Sequence, residues 1–232
     1  MRAWLRGLLG GAWIGLSLAA CAPQYPDGRL VAVVRRLEPS VVMLAMRLPA
    51  EHRIDAYDIA YASGTIVASG VWGSDILTVA HATQGAWHMI VTVGNTRKVP
   101  GHVVALDAKD DIALVRIAVP NLPIARLGSA RGLAGQSGRA IALLGYPIPE
   151  ELLGATAASL AVGVLSAVRK EAIELSLPIV PGESGGPVFL VDSGEIVGMV
   201  EARVADEPSI GFALPIDSAK RFLHKRDADH GF

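Results

Sequence analysis

A chain of 232 residues with 51% hydrophobic and 19% charged side chains has enough apolar material for a real core, which excludes disorder as the starting assumption. The formal charge is -1, from 21 basic and 22 acidic side chains, so no long-range field gathers nucleic acid or another polyanion. Aromatics are few at 5% while Gly (25) and Pro (14) are plentiful, a composition of many turns between short elements that leans to all-β.

The chain opens as an export signal over residues 1–20. Met1 to Arg6 is basic and Leu8 to Ala20 is apolar without a charge, too short for the roughly 20 helical residues a bilayer span needs. It ends in Leu18-Ala19-Ala20-Cys21, which resembles the bacterial lipobox. Cys21 is the single cysteine of the chain and so closes no internal disulfide; the resemblance implies a lipidated residue that holds the protein at a membrane. In the lipoprotein sorting rule Ala22, in place of Asp, favours the outer membrane of a bacterium with two, facing the periplasm. Residues 21–36, with Pro23, Pro26 and Gly28, read as the lipidated cysteine and a tether, although a helical pattern sets in near Gly28 to Leu37.

From Ser40 onward short runs of Val, Ile and Leu alternate with Gly, Pro, Asn and Asp clusters. Strands are expected at 41–46, 65–67, 76–80, 89–93, 112–117, 140–144 and 195–200, in closed antiparallel sheets. The Pro-rich stretch Val119-Pro120-Asn121-Leu122-Pro123 divides them into two sets, about 37–119 and about 124–215. A short C-terminal helix is expected from Ile216 to His224, ending the domain before a polar tail at 225–232.

The strongest local signal is Pro181-Gly182-Glu183-Ser184-Gly185-Gly186-Pro187, a serine among residues that permit tight backbone geometry. Amides aimed at one spot stabilise the charge that develops on a carbonyl oxygen during acyl transfer, and the N–H groups of Gly182 and Ser184 are the candidates. A serine hydroxyl needs an imidazole to take its proton and a carboxylate to orient that imidazole. His52, His88, His102, His224 and His230 show no metal-ligand spacing, and neither a metal nor a cofactor is expected.

Leu77-Thr78-Val79-Ala80-His81-Ala82, Asp111-Ile112-Ala113-Leu114 and Gly182-Glu183-Ser184-Gly185-Gly186-Pro187 resemble, in order, the three triad motifs of trypsin-like serine peptidases. Pro39-Ser40-Val41-Val42, Ser63-Gly64-Thr65-Ile66, the 30-position step from His81 to Asp111, and Gly211-Phe212-Ala213-Leu214-Pro215-Ile216 narrow the likeness to the protease domain of the HtrA/Deg family. The resemblance implies an all-β fold of two antiparallel six-stranded barrels over 37–224. It makes His81 the general base, Asp111 its partner and Ser184 the nucleophile of an endopeptidase acting on proteins or peptides. Asp107 and Asp110 compete for the carboxylate role by position, and the Asp-Ile-Ala-Leu pattern favours Asp111.

Family position places Ser176 to Val180 along the primary specificity pocket, with Pro178, Ile179 and Val180 as lining; without a carboxylate, it suits small or medium apolar residues. Glu201, Ala202 and Arg203 lie where a strand would pair with an extended substrate. Gly182 to Gly186 also fits the G-x-S-x-G pattern of α/β-hydrolases, but only the polar tail offers histidines after the serine. A silent binding module with the same fold is the remaining alternative. The sequence also departs from the family. No PDZ segment is expected with this domain, Glu183 stands where HtrA has Asn and digestive relatives have Asp, and Tyr25 is the one aromatic between Cys21 and Tyr57, which leaves oligomerisation open.

Overall fold

The computed structural model describes residues 28–47, 59–94, 96–148, 157–204 and 207–230, with side chains given outside 202–209 and 229–230. Cys21 and the expected export signal lie outside the described residues. Among the described residues no helix is long and apolar enough to cross a membrane.

Twelve strands form two closed barrels in which every neighbouring pair is antiparallel. The first contains β1 (Val41–Arg47), β2 (Ile59–Gly70), β3 (Gly73–Thr78), β4 (His88–Val93), β5 (Arg97–Asp107) and β6 (Ile112–Ile117), in the order β1-β2-β3-β6-β5-β4. The second contains β7 (Ala140–Gly145), β8 (Ser159–Val168), β9 (Ile173–Ser176), β10 (Pro187–Leu190), β11 (Ile196–Val204) and β12 (Glu207–Pro215), in the order β10-β11-β12-β9-β8-β7. Counted from its own first strand, the second barrel repeats the order of the first. Register shifts fall at matching places, in β2 and β8 and again in β5 and β11. Bulges of this kind turn the corners that let a twisted sheet close on itself.

Closure follows from the residue pattern. Val42, Leu44, Ile66, Ile76, Val91, Leu114 and Val115 are fully buried in the first barrel, as are Ile141, Leu143, Leu175, Val188 and Val200 in the second. β1 is buried through most of its length on both faces, because one face fills its own barrel and the other is covered by neighbours that include β7.

Among the described residues three α-helices accompany the barrels: α1 (Arg29–Leu37), α2 (Ala80–Thr83) and α3 (Ile216–His230). The tether expected over 21–36 is cut short by α1, which buries Val33 and Leu37 in the core. Arg36 Nη2 of α1 donates to Ser193 O in the turn between β10 and β11, so this helix lies against the second barrel although it leads into the first. The expected polar tail at 225–232 is helical as far as His230. α3 continues because Arg226 reaches back to the buried carboxylate of Asp75 in β3, which Arg116 also grips with Nε and Nη2 at 2.7 and 2.8 Å. The strand expected through Ala80 stops at Thr78, where the chain turns into the single turn of α2.

Candidate active site

His81 sits in the one-turn helix α2 at the end of β3. The turn is fixed from below by Thr83, whose hydroxyl donates to Val79 O and Ala80 O at 3.2 Å each. Asp111 approaches from the turn between β5 and β6 and engages this helix with three atoms. Its Oδ1 accepts the His81 N–H at 2.8 Å, its Oδ2 lies 2.7 Å from His81 Nδ1, and its carbonyl accepts the Ala80 N–H at 3.3 Å.

The carboxylate thus holds both the backbone and the ring of the same residue. Asp111 reaches that pose with φ at +51°, a left-handed conformation that Asp tolerates better than most side chains. Asp107, a rival for the role, instead accepts the N–H groups of Lys109 and Asp110 and shapes the turn that presents Asp111. With Asp111 accepting at Nδ1, the neutral imidazole carries its proton there and leaves the Nε2 lone pair as the basic position.

Ser184 is placed by backbone bonds to both barrels. Ser63 N–H in β2 donates to Ser184 O at 2.8 Å, Gly185 N–H donates to Val200 O in β11 at 2.8 Å, and Val200 N–H donates to Gly186 O at 2.9 Å. Gly185 has φ at +87° and leaves no room for a Cβ, which would overlap Ser63 O and Thr78 Oγ1. Thr78 ends the strand that delivers His81 three residues later. The serine loop is therefore pressed against the foot of the histidine turn.

Two peptide planes of this loop have their carbonyls fixed by backbone donors. Ile148 N–H donates to Pro181 O at 3.0 Å, and Gly186 N–H donates to Glu183 O at 2.9 Å. In a trans peptide the following N–H points the opposite way, so the amides of Gly182 and Ser184 are both turned away from those anchors. Neither amide donates to an acceptor among the described residues.

Ser63 was quoted in the sequence only as part of a motif, yet it organises the loop. This fully buried residue donates through Oγ to Gly182 O at 2.9 Å, accepts the Tyr146 N–H at 2.7 Å, and receives Thr78 Oγ1 on its own carbonyl at 2.7 Å. Its partners lie 83 and 119 positions away, a separation no local pattern betrays.

Glu183 turns inward, only 2% exposed, and its Oε2 accepts the Val180 N–H at 2.9 Å. Burial pushes this carboxyl above the usual range, and the Val180 bond only partly offsets that. Among the residues expected to line a specificity pocket, Ile179 packs into the core of the second barrel, whereas Pro178 and Val180 are exposed. Ala202 and Arg203 pair along the backbone with Phe212 and Gly211, while their side chains lie outside the description. Among the described residues no group of three His, Cys, Asp or Glu side chains is arranged to hold a metal ion.

Comparison with known proteins gives a consistent picture. Residues 62–199 match the model of the trypsin-like peptidase domain. The mitochondrial serine protease HTRA2 of Drosophila willistoni is 34% identical over 164 residues, 65% of this chain and 35% of that protein. A DegP-like protein of Halomonas elongata, described as a probable periplasmic serine endoprotease, is 30% identical over 155 residues, 62% of this chain and 31% of its own length. The chain thus spans about a third of these relatives. A serine endoprotease structure from Yersinia pestis superposes with a TM-score of 0.70 at 26% identity, covering 86% of this chain and 67% of that one. An HtrA-type protease, AlgW with tripeptide, does so with a TM-score of 0.72 at 24% identity, covering 87% and 64%.

Proposed function

The chain belongs to the trypsin-like peptidase family, and from that premise we propose that it is a serine endopeptidase with His81, Asp111 and Ser184 as its triad. The observation that carries this reading is the double grip of one carboxylate on the backbone and ring of His81, beside a serine loop packed against the same strand end.

In the reaction the Ser184 hydroxyl attacks the scissile carbonyl as His81 Nε2 takes its proton, and Asp111 stabilises the imidazolium that forms. The carbonyl oxygen, now negative, accepts from the amides of Gly182 and Ser184. His81 then returns the proton to the leaving amine, and a water molecule repeats the sequence on the acyl-enzyme to release the acid and restore the hydroxyl.

The substrate is a protein or peptide laid as an extended strand along β11 near Glu201, Ala202 and Arg203. Pro178 and Val180 present apolar surface without a carboxylate, which suits a small or medium apolar residue before the cut. Export, lipidation at Cys21 and a periplasmic face of the outer membrane complete the proposal, and rest on the lipobox-like run alone.

The test is labelling with a serine-directed phosphonate, together with casein cleavage and mass spectrometry of the cut sites. Wild type labels and cuts, Ser184→Ala does neither, and both proteins give the same circular dichroism. A folded wild type that never labels refutes the enzyme and leaves a binding module of the same fold.

A further inference from the structure

β11 departs from its ladder with β12 at one acidic residue. Val200 pairs with Ala213 and Ala202 pairs with Phe212, which leaves Glu201 as the extra residue of a bulge. The residue before it is locked to the serine loop by the bonds between Val200 and both Gly185 and Gly186. Bulges beside functional sites re-aim a side chain that strict alternation would send elsewhere. Here the side chain is a half-buried carboxylate that makes no hydrogen bond or ion pair among the described residues.

Burial pushes the Glu201 carboxyl up, the Asp111 charge adds to that push, and His81 draws it down. The bulge, next to a residue bonded to the serine loop, therefore sets this carboxylate within electrostatic reach of the His81–Asp111 pair. No other ionisable group competes from the packed elements that are described: β10 and residues 210–215 of β12 contain none. In α3, Asp217 is engaged with Ser129 and Ala130, and Lys220 with Gly128.

We propose that Glu201 is a positioning residue of the hydrolytic site, a second carboxylate that the bulge turns toward the His81–Asp111 pair to stabilise the imidazolium as Ser184 attacks. This rests on the triad reading above. Ionised, Glu201 adds a negative charge beside the cation of the transition state; protonated in acid, it adds none. The acid limb of the rate profile therefore carries the ionisation of Glu201 in addition to that of the general base.

The experiment compares wild type, Glu201→Gln and Glu201→Asp in peptide hydrolysis and in phosphonate labelling across pH, with melting curves to verify folding. Glu201→Gln lowers kcat by about 3- to 10-fold, the scale of one partly screened charge contact, with KM changed less than about 2-fold on that same basis. The wild-type acid limb of log(kcat/KM) is steeper than one ionisation allows, the Gln variant shows a single ionisation, and Glu201→Asp keeps the steeper limb. Unchanged kcat in the Gln variant, a change confined to KM, or a single-ionisation limb in wild type overturns the inference alone. Absence of labelling in wild type refutes the triad reading and the inference with it.

Discussion

Ser63→Ala removes one oxygen and leaves two buried partners without it, the carbonyl of Gly182 and the N–H of Tyr146. Each orphaned buried group costs about 1–3 kcal/mol, so the variant loses about 2–6 kcal/mol of stability. For a chain of this size that corresponds to a fall in melting temperature of roughly 4–24 °C. The backbone bond from Ser63 N–H to Ser184 O survives, because alanine supplies the same amide. The activity loss therefore comes from the Gly182 side: its carbonyl loses the hydroxyl that fixes the peptide following it, and the loop bearing the oxyanion donors gains freedom. Misplaced oxyanion donors act on kcat more than on KM, and we expect kcat to fall on the order of 10- to 100-fold, within the range that losing one donor sets. Calorimetry paired with steady-state kinetics below the melting range of both proteins checks the two effects. A variant that melts within about 1 °C of wild type, far inside the shift expected for two orphaned groups, and keeps its kcat would refute the view that this hydroxyl anchors the loop.

Asp75 gives a pH signature. Burial pushes its carboxyl up, but Arg116 and Arg226 outweigh that and hold it below the ordinary value of 3.8. Its stabilisation is therefore fully present above 3.8 and is lost as pH falls through the folded value; urea midpoints of wild type and Asp75→Asn should converge in acid and separate at neutral pH. Glu183 behaves oppositely, since burial raises its carboxyl above 4.5 in the folded protein. Stability falls as pH climbs from 4.5 through the folded value, so Glu183→Gln, which keeps an acceptor for Val180 N–H, should gain in melting temperature over wild type at pH 7 and lose that gain near pH 4. Gly185→Ala forces a side chain onto Ser63 O and Thr78 Oγ1 in a left-handed backbone, a conformation that alone costs on the order of 1–3 kcal/mol. The phosphonate labelling rate should fall on the order of 100-fold or more, following the range for a lost oxyanion donor, and labelling at the wild-type rate would show that the loop tolerates the shift.

What was legible in the sequence is what local chemistry writes locally. The runs at 41–46, 89–93 and 112–117 became strands close to their expected limits because β-branched and apolar residues filled them. The 30-position step from His81 to Asp111 matches a contact that the structure closes at 2.7 Å. Other elements were hidden by their composition. β5 contains Pro100 and Gly101, residue types that disfavour a strand interior, yet they pair with Ile90 and Met89. Ser, Ala and Gly fill five of the ten positions of β8, which pairs with β7 on one side and β9 on the other. The end of α3 looks like a charged tail until Arg226 meets Asp75 across 151 positions. That Ile179 packs into the second core while Pro178 and Val180 on either side are exposed was hidden too, because sequence position cannot say which side of the chain faces the barrel interior. The Glu201 bulge is likewise a property of pairing, visible only when β12 is set beside β11.

The terminal helices cross over. α1 precedes the first barrel and fastens to Ser193 of the second, while α3 follows the second barrel and fastens to Asp75 of the first. Each half of the polypeptide is thus strapped by the end that belongs to the other. A fragment holding either barrel with only the helix that adjoins it in the chain would lack one of these two ties.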